Sequence, residues 1–582
     1  MARPVGKTFL KKWRERLQHA DRVWESRGLA KTLTSESSGD ELKRYIAAYR
    51  CEPWANGWAG LGVDDLSVSP IFFAAQNTFV AQLLARTPDA EVLPRNRSSI
   101  ERAPIVEAII NYDIDELKLK REWSLALGDS FAAPWGMVRH GYTPAEEVED
   151  QKGNRIESYA MARPNKPWMR RHKIWDFRCD PLAESPQPDG DAMWCAFRNV
   201  YTEEQLKKNP RITLPDDLAP TQNIAIWNRE RTKKLGETPT FAVWSVYDKS
   251  DRTWFQIPET GEALFRQPGD WPLPWEDLPY DTVYFNPQMD TLFPLPFASV
   301  IWKPILELSK VRTLMIELVK RMRRIILINK DQLGEGEADK IEGSDLTELV
   351  MVTGNLANAV GQTQLGGFAS ELLGLVALYE KDIREAIGQS SMDRGQRINV
   401  QSSAEAQSVA QGSAVAGGRN VERVEDFISS SLRHYAIARQ ATTTEEEVIP
   451  ILGRKLAGIL RDENAYYSVS PRQLEGEFDY KIVSGSSLPD NRQRRIAESM
   501  AKLEIAKSAP ELHDMQEAYA RVWEAFGERP GDVMLNLEQL KGTQAAAAAA
   551  QQPGQEGQAP PEGADMGQLM MALREQGGGA AQ

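Results

Sequence analysis

The most regular pattern in the chain is a heptad repeat of apolar residues near its middle. The members step by 3, 4, 3, 4 and 3 positions and are Leu308, Val311, Met315, Leu318, Met322 and Ile325. This spacing predicts a helix over 297–326 with a single apolar seam. At about 1.5 Å per residue, such a helix is roughly 40 Å long. Two uses of the seam are open: packing within one domain, or packing against neighbouring helices in an assembly.

Basic residues gather at the end of this predicted helix. They are Lys320, Arg321, Arg323 and Arg324, and the next predicted helix adds Lys381 and Arg384. Cations are favoured near a helix C-terminus, where the helix dipole is negative. A solvated helix end explains the cluster, and contact with DNA or with an adjacent subunit is the alternative.

A Gly- and acid-rich insert, 327–368, separates the first long helix from a second one predicted over 369–387. The second helix has one apolar face, formed by Leu372, Val376, Tyr379, Ile383 and Ile387. Two long helices are thus predicted on either side of a polar insert.

A polar segment without periodicity, 388–401, follows the second helix. Its candidate functional residues are Arg394, Gln396, Arg397 and Asn399. Gly388 and Gly395 permit backbone conformations that other residues avoid. The segment is predicted to be exposed, either as a surface turn or as a loop that meets a polyanion.

The next stretch, 401–419, consists almost entirely of Ala, Ser, Gly and Gln. Its Ala and Gln favour a helix and its Gly and Ser weaken one, so a close-packed helix and a linker are both open. Apolar residues at helical spacing follow directly: Val421, Val424, Ile428, Leu432 and Tyr435. They predict an amphipathic helix within 402–450.

The remaining segments predict an α+β fold. Residues 1–50 are highly charged and helical in pattern, whereas 160–290 contains short aromatic runs separated by turn residues, which predict a small antiparallel sheet. Another mixed module is predicted over 451–542, with a strand in "FDYKIVSG". The low-complexity tail, 543–582, is predicted to be disordered.

Composition restricts the kinds of partner and compartment that the sequence predicts. The formal net charge is −13, which is unlike a protein that grips nucleic-acid phosphates over a broad basic surface. No apolar run is long enough to predict a membrane helix, and the basic N-terminus lacks the apolar core of a secretory signal. Cys51, Cys179 and Cys195 lack metal-binding spacing, so each is predicted to be a small buried residue in a reducing cytoplasm.

No catalytic motif is present. The chain lacks the phosphate-binding, zinc-protease and nucleophile-elbow patterns. Its five histidines are scattered at 19, 140, 172, 434 and 513, and each is interpreted as a surface or hydrogen-bonded core residue. Asp176 and Asp180 are interpreted as turn residues rather than a catalytic pair. The sequence therefore predicts neither an enzyme nor a bound metal or cofactor, although folding could still assemble a site.

Several phrases, taken in order over about 60–530, resemble the portal proteins of tailed bacteriophages. They are "NTFVAQLLARTPDAEVLPR", "ALGDSFAAPWGMVRHGY", "WDFRCDPLA", "FPLPFASVIWKPILELSKVRTLMIELVKRMRR", "AIGQSSMDRGQR" and "GGRNVERVEDF". The segment "SSAEA" is similar to a Thr-Ala-x-Glu-Ala motif of that family, with Ser403 where threonine is common.

The resemblance implies a portal-like domain order. It assigns 1–296 to the wing, 297–326 to the first stem helix, 327–368 to the clip, 369–387 to the second stem helix, 388–401 to the channel loop, 402–450 to a wing helix and 451–542 to a helical crown. The tail, 543–582, lies beyond the crown.

The same resemblance implies a ring, usually a dodecamer, at one vertex of a capsid. Viral double-stranded DNA would pass through it during packaging and ejection. The large terminase subunit, head–tail connector proteins, and capsid and scaffolding proteins would be its partners. The protein would be assembled in the host cytoplasm and carried in the virion. Another structural ring of a phage particle, or an enzyme whose site is assembled by folding, remains the alternative.

Overall fold

A computed structural model describes most of the chain outside its tail. The described residues are 7–27, 29, 41–52, 67–142, 167–203, 206, 240–259, 266–321, 324–329, 347–352, 360–364, 370–388, 403–443, 447–450, 466–483, 492–508 and 515–526. The chain divides into two compact units, Met1–Pro489 and Asp490–Gln582.

Helices dominate the first part of the larger unit. Their bounds are α1 Lys7–Ser26, α2 Glu41–Tyr49, α3 Ile71–Leu83, α4 Ala103–Glu116 and α5 Leu119–Ala132. Helix α1 buries every third or fourth residue, namely Leu10, Trp13, Leu17, Ala20 and Trp24. The ring of Trp13 meets Phe255 and Trp194 edge-on, with centroids 5.2 Å and 5.6 Å away. This apolar stripe fastens α1 to the sheet described next.

Two antiparallel sheets form the centre of the larger unit. The first contains β2 Gly136–Tyr142 between β3 Pro167–His172 and β9 Tyr280–Val283. The second has the order β4-β5-β6-β7-β8, with bounds Phe177–Cys179, Trp194–Thr202, Thr240–Asp248, Thr253–Pro258 and Arg266–Asp270. These strands confirm the antiparallel sheet predicted within 160–290. Their alternating apolar residues join one core with α1, α3 and α5.

The first long helix is shorter than its heptad pattern predicts. Helix α6 is Phe297–Arg321, and the chain then forms a strand, β10 Arg324–Asn329. The predicted extension to 326 is therefore wrong, and Ile325 belongs to a strand. Strand β10 is central in a sheet with β11 Thr347–Val352, which is parallel to it, and β12 Val360–Gln364, which is antiparallel. The insert predicted at 327–368 thus supplies β11, β12 and the second half of β10 to a three-stranded sheet.

The second long helix and its successor agree with the sequence. Helix α7 is Ser370–Ala386, and α8 is a single helix of 40 residues, Ser403–Thr442. From Ser403 onward, the small-residue stretch therefore belongs to a helix rather than a linker. Of its predicted apolar face, Val424, Ile428, Leu432 and Tyr435 are buried and Val421 is half-buried.

After α8, a late strand of the chain pairs with an early one. Strands β13 Glu447–Pro450 and β14 Tyr466–Val469 pair with each other, and β15 Phe478–Ile482 pairs antiparallel with β1 Ala90–Pro94. Because β15 pairs with β1, the compact units divide after Pro489 and not at 451. The predicted strand in "FDYKIVSG" is confirmed, but it belongs to the first unit.

The second unit contains a pair of packed helices, α9 Arg492–Ser508 and α10 Met515–Ala525. Leu503, Ala506 and Val522 are buried there, and the ammonium of Lys507 lies over the ring of Tyr519. The tail predicted to be disordered, 543–582, lies outside the described residues.

The mixture of helices and sheets confirms the predicted α+β class. Within the described part of the chain, no helix has both the length and the apolar character needed to span a bilayer. Two of the three cysteines, Cys179 and Cys195, are buried as predicted, but Cys51 is exposed. It lies just after the end of α2 with a positive φ of 55°, so the prediction of burial was wrong for this residue.

Candidate functional site

Helices α6 and α7 form an arm with a buried base. The first half of α6 is part of the core, because Ile301, Ile305 and Leu308 are fully buried. Helix α7 packs along α6, and the chain returns to the core through Ile383 in its last turn and Ile387 just after its end. The start of α6 and the end of α7 are thus held together at the body of the unit.

The far end of the arm leaves large apolar side chains uncovered. On α6 the exposed residues are Leu314, Ile316, Leu318 and Val319, and on α7 they are Leu373, Leu375 and Leu378. Val319 is 58% exposed and Leu318 is 38% exposed. Clusters of this kind on a single chain are typical of surfaces that another molecule covers.

The predicted seam therefore changes character along α6. Leu308 is buried, Val311 and Met315 are half-buried, and Leu318 is exposed. Met322 lies outside the described residues, and Ile325 belongs to β10. Among the described members of the seam, those near its N-terminal end form a packing surface within the chain, and Leu318 does not.

The predicted cationic residues fall into two groups. Lys381 lies 3.5 Å from Glu385, and Arg384 lies 2.7 Å from Glu380, so both form ion pairs along α7. Arg321 ends α6 and Arg324 begins β10, whereas Arg323 lies outside the described residues and Lys320 is described only as part of α6. The predicted loop residues Arg394, Gln396, Arg397 and Asn399 also lie outside the described part.

A buried charged cluster, not predicted from the sequence, lies where α8 crosses the β3-β2-β9 sheet. Oδ2 of Asp281, on β9, is 2.7 Å from Nε2 of His140 on β2 and 2.8 Å from Nδ1 of His434 on α8. The Ser430 hydroxyl, one turn before His434, donates to Oδ1 of the same carboxylate at 2.5 Å. We call these four residues the Asp281 cluster.

The surroundings of the cluster shift the pKa values of its two imidazoles in opposite directions. Burial lowers the pKa of His140, and its hydrogen bond to Asp281 does not compensate. Burial also acts to lower the pKa of His434, but the charge and hydrogen bond of Asp281 outweigh it and raise that pKa. For Asp281, burial is outweighed by both imidazoles, which hold its carboxyl pKa far below the ordinary value.

The hydrogen bonds of His140 explain why it stays neutral. Its Nδ1 is buried and has no hydrogen-bond partner among the described residues. Protonating His140 would bury an N–H donor there without an acceptor, which is unfavourable. The cluster is best described as one carboxylate, one imidazolium at His434 and one neutral imidazole at His140.

Three further polar contacts anchor the same half of α8. The indole Nε1 of Trp123, on α5, donates to the Ser431 hydroxyl at 2.9 Å. Asp113, on α4, accepts hydrogen bonds of 3.0 Å from both the Tyr435 hydroxyl and the Arg439 guanidinium. Helix α8 is therefore fixed to β9, α5 and α4 by buried polar groups within three turns.

The donor atoms of His140, Asp281 and His434 lie within 4.8 Å of one another, so the three could in principle hold a metal ion. Ligand atoms around a tetrahedral zinc ion, with bonds of about 2.0–2.1 Å, are roughly 3.3 Å apart. The observed 2.7 Å and 2.8 Å separations are those of hydrogen bonds. The geometry fits protons between these atoms better than it fits a metal.

The interpretation of the histidines agrees with these positions. His140 and His434 are hydrogen-bonded core residues, His172 lies near the carbonyl of Asp176, and His19 is exposed. His513 lies outside the described residues. Asp281 was not predicted from the sequence; its signal is a carboxylate within the buried strand "YDTV".

Asp180 and Asp176 behave differently from each other. Asp180 accepts the Leu182 N–H and shapes a turn, which confirms its interpretation as a turn residue. Asp176 lies in a short 3₁₀ turn, 3.5 Å from Arg198, and burial raises the pKa of its carboxyl. Asp176 is thus held by an ion pair as well as by a turn.

We expect the stability contributed by the His434–Asp281 pair to be lost as pH rises. A raised histidine pKa adds stability that is fully present below the ordinary value of about 6.5 and disappears as pH passes the raised value. Nearby Asp277 supports this shift and Arg433 opposes it. Urea unfolding from about pH 6 to pH 9 should show the advantage of the parent over His434→Gln shrinking with pH. An advantage that stays constant over this range would contradict a charged His434.

Comparison with known proteins adds no identification: neither the protein-family models nor the curated proteins contain a match to this chain.

Proposed function

We propose that this chain is a portal protein, which forms a closed ring at one vertex of a phage capsid. The observation that carries the proposal is the arm of α6 and α7, whose far end exposes seven large apolar side chains in the isolated chain. Copies arranged around an axis would cover these residues, because each arm would lie between two neighbours. The order of phrases that resembles portal proteins supports the same conclusion.

Within this proposal the arm is the stem of the ring. The sheet β10–β12, at the tip of the arm, corresponds to the clip, which would meet the large terminase subunit and later the head–tail connector proteins. The helices and sheets before α6, together with α8, correspond to the wing, which would face capsid and scaffolding proteins. The α9–α10 unit corresponds to the crown.

Charge favours passage of DNA over tight binding. Each chain carries a net charge of −13, and a ring multiplies this value by the number of its subunits. An acidic wall repels phosphates, so double-stranded DNA could slide through such a channel. The proposed role needs no catalytic residue. The chain would act as a conduit for DNA in the virion and would be assembled in the host cytoplasm.

The mass of the purified protein tests the proposal directly. A dodecamer of 65.3 kDa chains has a mass of about 780 kDa, which native mass spectrometry separates from neighbouring ring sizes. Electron micrographs down the axis should then show a central channel. A protein that remains a monomer or dimer at micromolar concentration would contradict the proposal.

The predicted loop offers a second test at the channel. We expect the double variant Arg394→Ala, Arg397→Ala to form normal rings but to hold passing DNA more weakly. Each arginine removed takes away one cation that releases counterions on meeting a phosphate, so the salt dependence of binding should also decrease. Single rings docked in a solid-state nanopore would report this as shorter dwell times for double-stranded DNA.

A matched control for this test replaces two exposed arginines elsewhere, Arg121 and Arg472, with alanine. This control removes the same charge from each chain, so any effect of net charge alone appears in both variants. Equal dwell times for the loop variant and the control would remove the loop from the channel.

A further inference from the structure

Cys179 and Cys195 lie directly opposite each other on neighbouring antiparallel strands. Strand β4 pairs with β5 in a register that places Phe177 against Phe197 and Cys179 against Cys195. Both cysteines are fully buried and both are free thiols. Opposite residues of a strand pair point to the same face of the sheet, so the two thiols share one side.

The hydrogen bonds around this pair determine its geometry. The N–H of Asp180 donates to the carbonyl of Trp194 at 3.2 Å, and by the same register these two residues face each other. Asp180 and Trp194 are therefore a hydrogen-bonded pair, and because the two kinds of pair alternate, Cys179 and Cys195 are a non-hydrogen-bonded pair. Such pairs bring Cα atoms to about 4.5 Å, within the range of about 4.4–6.8 Å that a disulfide spans.

We propose that Cys179 and Cys195 form a redox site, which closes to a cross-strand disulfide when it meets a low-molecular-weight disulfide of the glutathione type. The pair lies in the described body of the chain and needs neither a ring nor a bound DNA. Its failure or success is therefore separate from that of the portal assignment.

The reaction proceeds by two thiol–disulfide exchanges. One cysteine, as its thiolate, attacks the small disulfide, forms a mixed disulfide and releases one small thiolate. The second cysteine then attacks the protein sulfur of the mixed disulfide and releases the other small thiolate. The two protein thiols lose two electrons and two protons, and the small disulfide gains both to become two small thiols.

Burial controls the rate of this exchange. Burial raises the pKa of both thiols, and for Cys195 the neighbouring Cys179 adds to the effect. The attacking species is the thiolate, so the closed sheet keeps the pair reduced. Strand β4 has only three residues and lies at the edge of its sheet, so local opening of β4 is the route by which an oxidant reaches the pair.

The disulfide would also hold a contact between β4 and helix α1. Arg178, next to Cys179, donates from Nε to the carboxylate of Asp21 on α1 at 2.7 Å. A covalent link between β4 and β5 would hold this anchor of α1 in place. We therefore expect oxidation to make the docking of α1 more resistant to unfolding.

The experiment exposes the full chain to oxidised glutathione and then alkylates all remaining thiols in denaturant. Reduced protein should take up three alkyl groups, one for each of its cysteines. Oxidised protein should take up at most one, because the exposed Cys51 either stays free or forms a mixed disulfide with glutathione, and peptide mapping should join Cys179 to Cys195. The variant Cys195→Ala should lose the cross-link, and Cys51→Ser should keep it.

A second experiment removes the effect of burial on the oxidation rate. The chain is synthesised and folded in a glutathione redox buffer, so the thiols meet the oxidant before the sheet closes over them. If folding brings the two thiols together, the equilibrium constant for oxidation should be about 30- to 700-fold greater in the folded chain than in the urea-unfolded chain. Three alkyl groups in this experiment, a cross-link that involves Cys51, or equal constants in the two states would overturn the proposal.

Discussion

Replacing Asp281 with alanine is expected to lower the free energy of unfolding by about 3–5 kcal/mol, the range for removing one partner of a buried ion pair. Without the Asp281 carboxylate, burial lowers the pKa of His434 and the imidazole loses its proton, and the substitution also removes the acceptor of Ser430 and His140. Because the cluster joins β2, β9 and α8, the loss affects the contact of the long helix with the sheet. Urea unfolding followed by tryptophan fluorescence at neutral pH would measure the change.

Asp281→Asn is the matched control for this prediction. Asparagine keeps the size of the side chain and one carbonyl acceptor but loses the charge. The free energy of unfolding of this variant should therefore lie between those of the parent and the alanine variant. If both substitutions lower stability by less than about 1 kcal/mol, the cluster is not an ionised pair. A loss confined to Asp281→Ala would assign its contribution to hydrogen bonds rather than charge.

Replacing Leu318 with aspartate should abolish ring formation and leave the individual chain folded. Leu318 is 38% exposed in the single chain, so a charge there remains in contact with water and alters the fold little. In a ring the same position would be covered by a neighbour, and an unpaired buried carboxylate costs several kcal/mol at each interface. Native mass spectrometry would detect the loss of rings, and thermal unfolding would show that the chain still folds.

Leu182→Asp provides the control, because Leu182 is 85% exposed and lies outside the arm. It makes the same chemical change at a position that the proposed interface does not use, so its rings should be normal. Intact rings from the Leu318 variant would mean that the far end of the arm is not an interface between subunits.

Local patterns were sufficient where neighbouring residues determine the structure. The amphipathic pattern from Val421 to Tyr435 predicted α8 correctly, and alanine and glutamine extended the helix through the small-residue stretch. The heptad pattern failed beyond Arg321, where Ile325, Ile326 and Ile328 are β-branched and favour a strand. The partners of that strand, β11 and β12, lie later in the chain, so local periodicity did not reveal them.

The Asp281 cluster could not be predicted because its members are far apart in the sequence. Asp281 and His434 are 153 residues apart, and His140 is 141 residues from Asp281. Each residue alone is compatible with many environments, and only the crossing of α8 over the sheet brings them together. The spacing of Ser430 and His434, one helical turn, places both on one face of α8 but does not indicate their partner.

The pairing of β1 with β15 sets a waiting time during protein synthesis. Arg95 and Asp479, which form an ion pair beside these strands, are 384 residues apart. At about 5–20 residues per second, a ribosome needs roughly 20–80 s to make the second strand after the first. During that time the backbone N–H and C=O groups at the edge of β1 lack their native partner strand. A strand of another nascent chain on the same mRNA could pair with this edge instead. Slower translation would lengthen the interval in which this region is open to mispairing.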